Sequence, residues 1–139
     1  MGITRTVGSG RNHATIQDAI EYFSAYDFSS NGGGQCYIDI YQEGGGTNGE
    51  WALADSLVAP TTPPTNVTEA NSLTIRAAAG QSFRDNANEL TNALRYNTAN
   101  GVAIRWTATV AGFNVGINHL TLDGLQLKGG TGGVTCVTP

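Results

Sequence analysis

A chain of 139 residues has room for one hydrophobic core and not for two ordinary domains. Charged residues make up 13% of it, Gly occurs 19 times and the formal charge is -4; Asn, Thr, Ser and Gln carry the remaining polarity, as in all-β proteins with many turns, and the apolar content excludes wholesale disorder. The seven basic residues are scattered from Arg5 to Lys128, which argues against nucleic acid as a partner, and no apolar run approaches the ~20 residues that cross a bilayer, which argues against a membrane.

The opening Met1, Gly2, Ile3, Thr4 and Arg5 hold no basic segment followed by an apolar one, so no signal peptide is expected and the protein starts in a cytoplasm. Gly2 and Thr6 fit an N-myristoylation pattern only formally. Gly8, Ser9 and Gly10 make a turn, after which Ile16, Ala19, Ile20 and Phe23 recur at helical spacing with Gln17, Asp18 and Glu21 opposite. That pattern predicts one amphipathic helix of about three turns. Thr15 or Asn12 is its N-cap, and Thr15 with Asp18 resembles a capping box. The helix should stop before Ser29, Ser30, Asn31 and three glycines.

Residues 36–41, Cys-Tyr-Ile-Asp-Ile-Tyr, alternate apolar with small or polar side chains and predict a strand. A glycine loop over 43–49 follows, then two short extended pieces at Trp51-Ala52-Leu53 and Ser56-Leu57-Val58, before Pro60, Pro63 and Pro64 interrupt pairing. Residues 72–77 predict another strand, 81–92 a polar and irregular excursion. Short extended pieces return at 94–96, 102–106, Thr109-Val110 with Phe113, 120–122 and 125–127. Short strands between glycine and polar corners suit a coil of parallel strands rather than hairpins, with Asn100-Gly101 as the one hairpin-like pair. Leu73, Ile75, Ile104, Leu120, Leu122, Leu125 and Leu127 would then form one continuous buried column.

The glycine turn at 8–10, Ala14-Thr15-Ile16-Gln17-Asp18-Ala19-Ile20, Tyr37-Ile38-Asp39-Ile40, Leu73-Thr74-Ile75-Arg76 with Gly80, and Leu122-Asp123-Gly124-Leu125-Gln126-Leu127 follow one another in an order that resembles the pectin-lyase-like superfamily, and most of all its phage virion and tailspike members. The resemblance implies an all-β fold: a short right-handed parallel β-helix with an N-terminal amphipathic capping helix, forming a single domain over 1–139 with a cap at 1–34 and rungs at 35–139. Ile16, Ile20 and Phe23 would cover the first rung. Residues 131–139 offer no comparable lid, so the last rung is expected to finish against a partner, or the chain to be the N-terminal part of a longer protein.

The chemistry is sparse. Enzymes of that superfamily gather carboxylates on one strand face, as acid and base or around calcium, whereas Asp39, Asp55, Asp85, Glu89 and Asp123 share no spacing. Asp123 before Gly124 reads as a corner residue bonding local amides. His13 and His119 stand apart with no Cys-x-x-Cys, which does not make a metal site. Gly8, Ser9 and Gly10 are not a phosphate loop, since no Gly-Lys-Ser/Thr surrounds them. Cys36 and Cys136 read as two small hydrophobes rather than a disulfide framework. Asn66-Val67-Thr68 matches a glycosylation acceptor that lacks a secretory context. Trp51, Trp106, Tyr37, Tyr41 and Tyr96 could stack on sugars but fall mostly in strand-like runs, where alternation places them in the core.

No catalytic, cofactor or metal residues are therefore assigned, and no cofactor is expected. The expectation is a non-enzymatic bacteriophage virion structural protein, such as a capsid decoration or a head, neck or tail attachment module, located in the virion. Its partners would be other virion proteins or copies of itself, a trimer first among these, with polysaccharide as a further partner. The alternative is a fragment or reduced relative of a polysaccharide-degrading enzyme such as a tailspike depolymerase.

Overall fold

The computed structural model describes residues 2–30, 33–42, 49–86 and 96–129. In chain order the elements are β1 (Thr4–Val7), α1 (Ile16–Glu21), β2 (Cys36–Ile40), β3 (Glu50–Leu53), β4 (Leu57–Val58), β5 (Leu73–Ala77), α2 (Phe83–Asn86), a 3-10 turn (Thr98–Asn100), β6 (Ala103–Trp106), β7 (Phe113–Asn114), β8 (Thr121–Asp123) and β9 (Gln126–Lys128). They form sheets of four strands (β1-β2-β5-β8), three strands (β3-β6-β9) and two strands (β4-β7). Every strand pairing in them is parallel.

This corrects the expected architecture. The chain builds three separate small parallel sheets and helices, and they do not close or curl into a solenoid, so the short right-handed parallel β-helix with a capping helix is not the fold. The physical reason lies in the unequal strands. β4 and β7 are two residues long, β2 and β5 are five, and the connections between strands run from the two residues between β8 and β9 to the long stretch, α1 included, between β1 and β2. Strands of such different length and spacing pair well within a sheet and give no uniform turn of a coil.

The alternation in β2 does what its sequence predicts. Cys36, Ile38 and Ile40 are buried while Tyr37 and Asp39 are half-buried on the opposite face. Opposite them in register stand Leu73, Ile75 and Ala77 of β5, and Ile38, Ile40, Leu73 and Ile75 are each 0% exposed. Each such side chain contributes about 1.5–3 kcal/mol of transfer free energy. β1 is a strand that the sequence did not advertise. Only Val7 among its residues is buried, so its alternation is too weak to read, yet Thr4, Arg5, Thr6 and Val7 pair with Tyr37, Ile38, Asp39 and Ile40.

The predicted helix exists but is shorter than three turns. Thr15 is the N-cap, its hydroxyl accepting the Asp18 N–H at 3.1 Å. After Glu21 the bonds tighten, with Phe23 N–H to Ile20 O and Ser24 N–H to Glu21 O, and Ala25 takes φ 54°, which ends helical propagation. The Ala25 N–H then donates to Thr62 O. Ile16, Ala19, Ile20 and Phe23 are all buried as their spacing predicts, and Phe23 stacks on Phe28 with centroids 5.7 Å apart.

The single column of seven aliphatic residues is also corrected. Ile75 stands opposite Leu122 in the four-stranded sheet and Ile104 opposite Leu127 in the three-stranded one, so there are two columns. Leu120, Leu122, Leu125 and Leu127 are only half-buried, whereas Leu73, Ile75 and Ile104 are sealed. Trp106 is fully buried against Phe113, and its indole N–H has no acceptor among the described residues, a cost of about 1–3 kcal/mol that the packing of a large ring must offset.

Two glycines separate conformational need from close approach. Gly80 (φ 75°) has open space where a Cβ would go, whereas Gly101 (φ 138°) would place a Cβ 2.4 Å from the Gln81 carbonyl oxygen, which already accepts the Val102 N–H. Gly80→Ala should therefore cost about 1 kcal/mol, the ordinary penalty of a left-handed alanine, and Gly101→Ala distinctly more. Urea midpoints of the two variants measure the difference.

Candidate functional site

The three-stranded sheet carries a connected polar group of Glu50, Tyr96 and Arg105. Its register sets Trp51, Ile104 and Leu127 in one row and Ala52, Arg105 and Lys128 in the next. Alternation puts the first row on the core side, where Trp51 donates its indole N–H to Tyr41 O at 2.9 Å. The second row faces solvent together with Glu50, Ala103 and Gln126. The segment 96–101 lies over the first half of this face, for Gln126 accepts the Asn97 N–H at 2.8 Å and donates to Gly101 O. Ala103 and Gln126 are consequently buried, and Ala52 and Lys128 remain exposed.

At the boundary, Glu50 accepts from Arg105 Nε and from the Tyr96 hydroxyl, each at 2.5 Å and each on a different carboxylate oxygen. Its side chain is 13% exposed. Burial works against ionisation of Glu50, but the bonds from Tyr96 and Arg105 outweigh it and hold the carboxyl below its usual range. Burial, then the bond to Glu50, pushes the Tyr96 phenol well up, so Tyr96 stays a donor. Lys128 Nζ sits 5.3 Å from the centroid of the Tyr96 ring.

The four-stranded sheet presents a different solvent face. Asp39, Arg76 and Asp123 stand side by side on β2, β5 and β8. Arg76 Nε donates to Asp39 Oδ1 at 2.6 Å and its guanidinium lies 3.9 Å from the Tyr37 centroid; the bond to Asp39 raises the Arg76 pKa. Arg84 pairs with Asp123. Cation and carboxylate alternate along this row, each meeting its opposite.

The residues weighed in the sequence do not converge. Asp123 ends β8 and pairs with Arg84 rather than capping local amides. Asp55 is exposed, while the Asp85 side chain, Glu89 and Cys136 lie outside the described residues. Cys36 is buried as a small hydrophobe, its sulfur 3.5 Å from the Ile3 N–H. No group of three or more potential metal ligands occurs among the described residues. Trp106 is in the core, Trp51 packs against it, Tyr37 and Tyr41 lie under Arg76 and Arg11, and Tyr96 is on the second sheet, so the five aromatics form no common platform. Asn66 donates to Asp27 Oδ1 at 2.9 Å and borders a shallow cleft of about 270 Å³, with Pro63, Pro64 and Val67 on its side and Gly116, Ile117 and Asn118 opposite. The group around Glu50 was missed, because Glu50, Tyr96, Arg105 and Lys128 approach one another only through sheet register.

No family model matches the chain, and no curated protein or solved structure is detectably similar to it. No helix among the described residues is long and apolar enough to cross a membrane.

His13 is a local pH-sensitive contact. Its Nε2 accepts from Arg5 Nε at 3.1 Å, and Arg5 also lies 4.1 Å over the Tyr22 ring. Burial, then the Arg5 charge, lowers its pKa below the ordinary 6.5, with Asp18 opposing. The native chain thus keeps His13 neutral where the unfolded chain protonates it, so its contribution is complete above about pH 6.5 and is lost as pH falls towards the folded value. His13→Gln should flatten that part of the stability profile, read as a smaller drop in urea midpoint between pH 7.5 and 5.5 than the unaltered chain shows.

Proposed function

We propose that this chain is a non-enzymatic structural module of a bacteriophage virion, a decoration or a head, neck or tail attachment piece, that acts by assembling with virion proteins or with copies of itself. The observation that carries the reading is the state of β8 and β9. They are edge strands of two different sheets, two residues apart in sequence. Among the described residues no strand pairs with their outer edges. Leu122 and Leu127 stand on them in register with sealed Ile75 and Ile104 and are themselves only half-buried.

Two adjacent strand edges over half-covered leucines are the kind of surface that pairs with another chain. The stabilisation available is the apolar area still exposed on those leucines, at roughly 25 cal/mol per Å², together with the backbone bonds of one or two added strands. A symmetric assembly satisfies every copy equally, and a trimer is the stoichiometry we favour.

Light scattering on the purified chain should give a mass that is a multiple of the single chain. Leu122→Asp with Leu127→Asp should return it to one chain while circular dichroism stays unchanged; Thr109→Asp, at an exposed position away from β8 and β9, should leave the assembly intact. A monomer at high concentration with no co-purifying protein would sink the assembly reading. Release of reducing ends or unsaturated products from a capsular polysaccharide would sink the non-enzymatic one.

A further inference from the structure

The sheets are finished differently at their two ends. In a parallel strand successive residues turn their N–H and C=O groups alternately to the two sides. In β1 the carbonyls of Ile3 and Val7 accept from Tyr37 and Tyr41, which leaves Thr6 facing outward, away from β2. Its N–H is taken by Asn12 Oδ1 at 3.1 Å and its C=O by the His13 N–H at 3.0 Å, while the Gly8 N–H reaches His13 O. In β4 the Leu57 N–H donates to Gly112 O beside β7, so Val58 faces outward. There the Gln17 amide takes both of its groups, accepting the Val58 N–H at 3.0 Å and donating to Val58 O at 3.3 Å. One side chain thus stands where a neighbouring strand would place a peptide group. No strand among the described residues covers the opposite edges, on β8 and β9.

We propose that Asn12 and Gln17 are stops that confine pairing between copies of this chain to the β8 and β9 edges, so that assembly closes instead of growing into a filament. This rests on the self-assembly proposed above and adds a direction to it. A head-to-tail contact, with β8 of one copy laid on β1 of the next, repeats without end. It needs the outward groups of Thr6 and Gly8, which Asn12 and His13 already occupy. At β4 it needs the two groups of Val58, whose side chain is 43% exposed; an uncovered strand edge beside an exposed apolar residue is what invites strand addition. Copies that meet only through β8 and β9 can turn them to a common axis, and each copy that joins spends its open end. Asn12 is available for this role because Thr15 caps α1.

The test removes the stops from the full chain and follows mass against concentration by light scattering. The unaltered chain should reach a plateau. Asn12→Ala with Gln17→Ala, the second a better helix former than the residue it replaces, should pass that plateau by about twofold or more and keep rising with concentration. Adding Leu122→Asp and Leu127→Asp to that variant should abolish the open growth. Amide exchange in the unaltered chain needs no substitution: the Thr6 and Val58 N–H groups should exchange about tenfold or more slowly than in an unstructured peptide. Unlimited growth of the unaltered chain, no rise in the variant without stops, growth that persists once Leu122 and Leu127 are replaced, or unprotected Thr6 and Val58 amides would each overturn the stops. An unaltered chain that stays single at every concentration, but grows when Asn12 and Gln17 are replaced, would uphold the stops and overturn only the assembly reading.

Discussion

The pairing of β2 with β5 is the contact on which the rest of the molecule depends. It is the longest register in the protein, from Cys36 with Leu73 to Ile40 with Ala77, and it seals Ile38, Ile40, Leu73 and Ile75 completely. β1 and β8 attach to its two sides, and α1 rests on β1, β2 and β4. Once β2 and β5 are aligned, the chain that follows each of them is delivered to the same neighbourhood, where β3 meets β6 and β4 meets β7. A slip of β2 by one residue in that register would turn Ile38 and Ile40 to solvent and Asp39 inward.

Charge is used differently on the two larger sheets. On the first, Asp39, Arg76, Asp123 and Arg84 satisfy one another, and Arg76 also covers Tyr37. The Arg84–Asp123 pair is largely exposed and adds little to stability, whereas the Arg76–Asp39 pair is half-buried and helps hold β2 and β5 in register. On the second, a half-buried carboxylate is bonded on both sides and sits below two cations on neighbouring strands. The contrast comes from placement alone, since both faces are built from the same few residue types.

Much of the secondary structure was legible because burial writes itself with period two in a strand. Residues 36–41, 72–77, 102–106 and 125–127 each became a strand within a residue or so, and Thr15 was readable as a cap from its place before Ile16. β1 was not, because Thr4, Arg5 and Thr6 bury too little to show a rhythm. The length of α1 was overread because the left-handed turn at Ala25 is imposed by its bond to Thr62, a residue far along the chain. The same holds for architecture and site. Local rhythm predicts strands but not which strands share a sheet, and it could not reveal that Glu50, Arg105 and Lys128 meet.

The all-parallel topology has a kinetic consequence. Among the described residues no strand pairs with one reached by a tight turn: Leu57 waits for Phe113, Glu50 for Ala103 and Cys36 for Leu73. Loop-closure entropy must therefore be spent before any ladder rewards it, and chains dominated by such distant pairings fold in milliseconds to seconds rather than microseconds. During synthesis β2 must leave the ribosome and remain unpaired on one side until β5 emerges, which makes the early chain dependent on α1 and β1 to shield Ile38 and Ile40 from premature association.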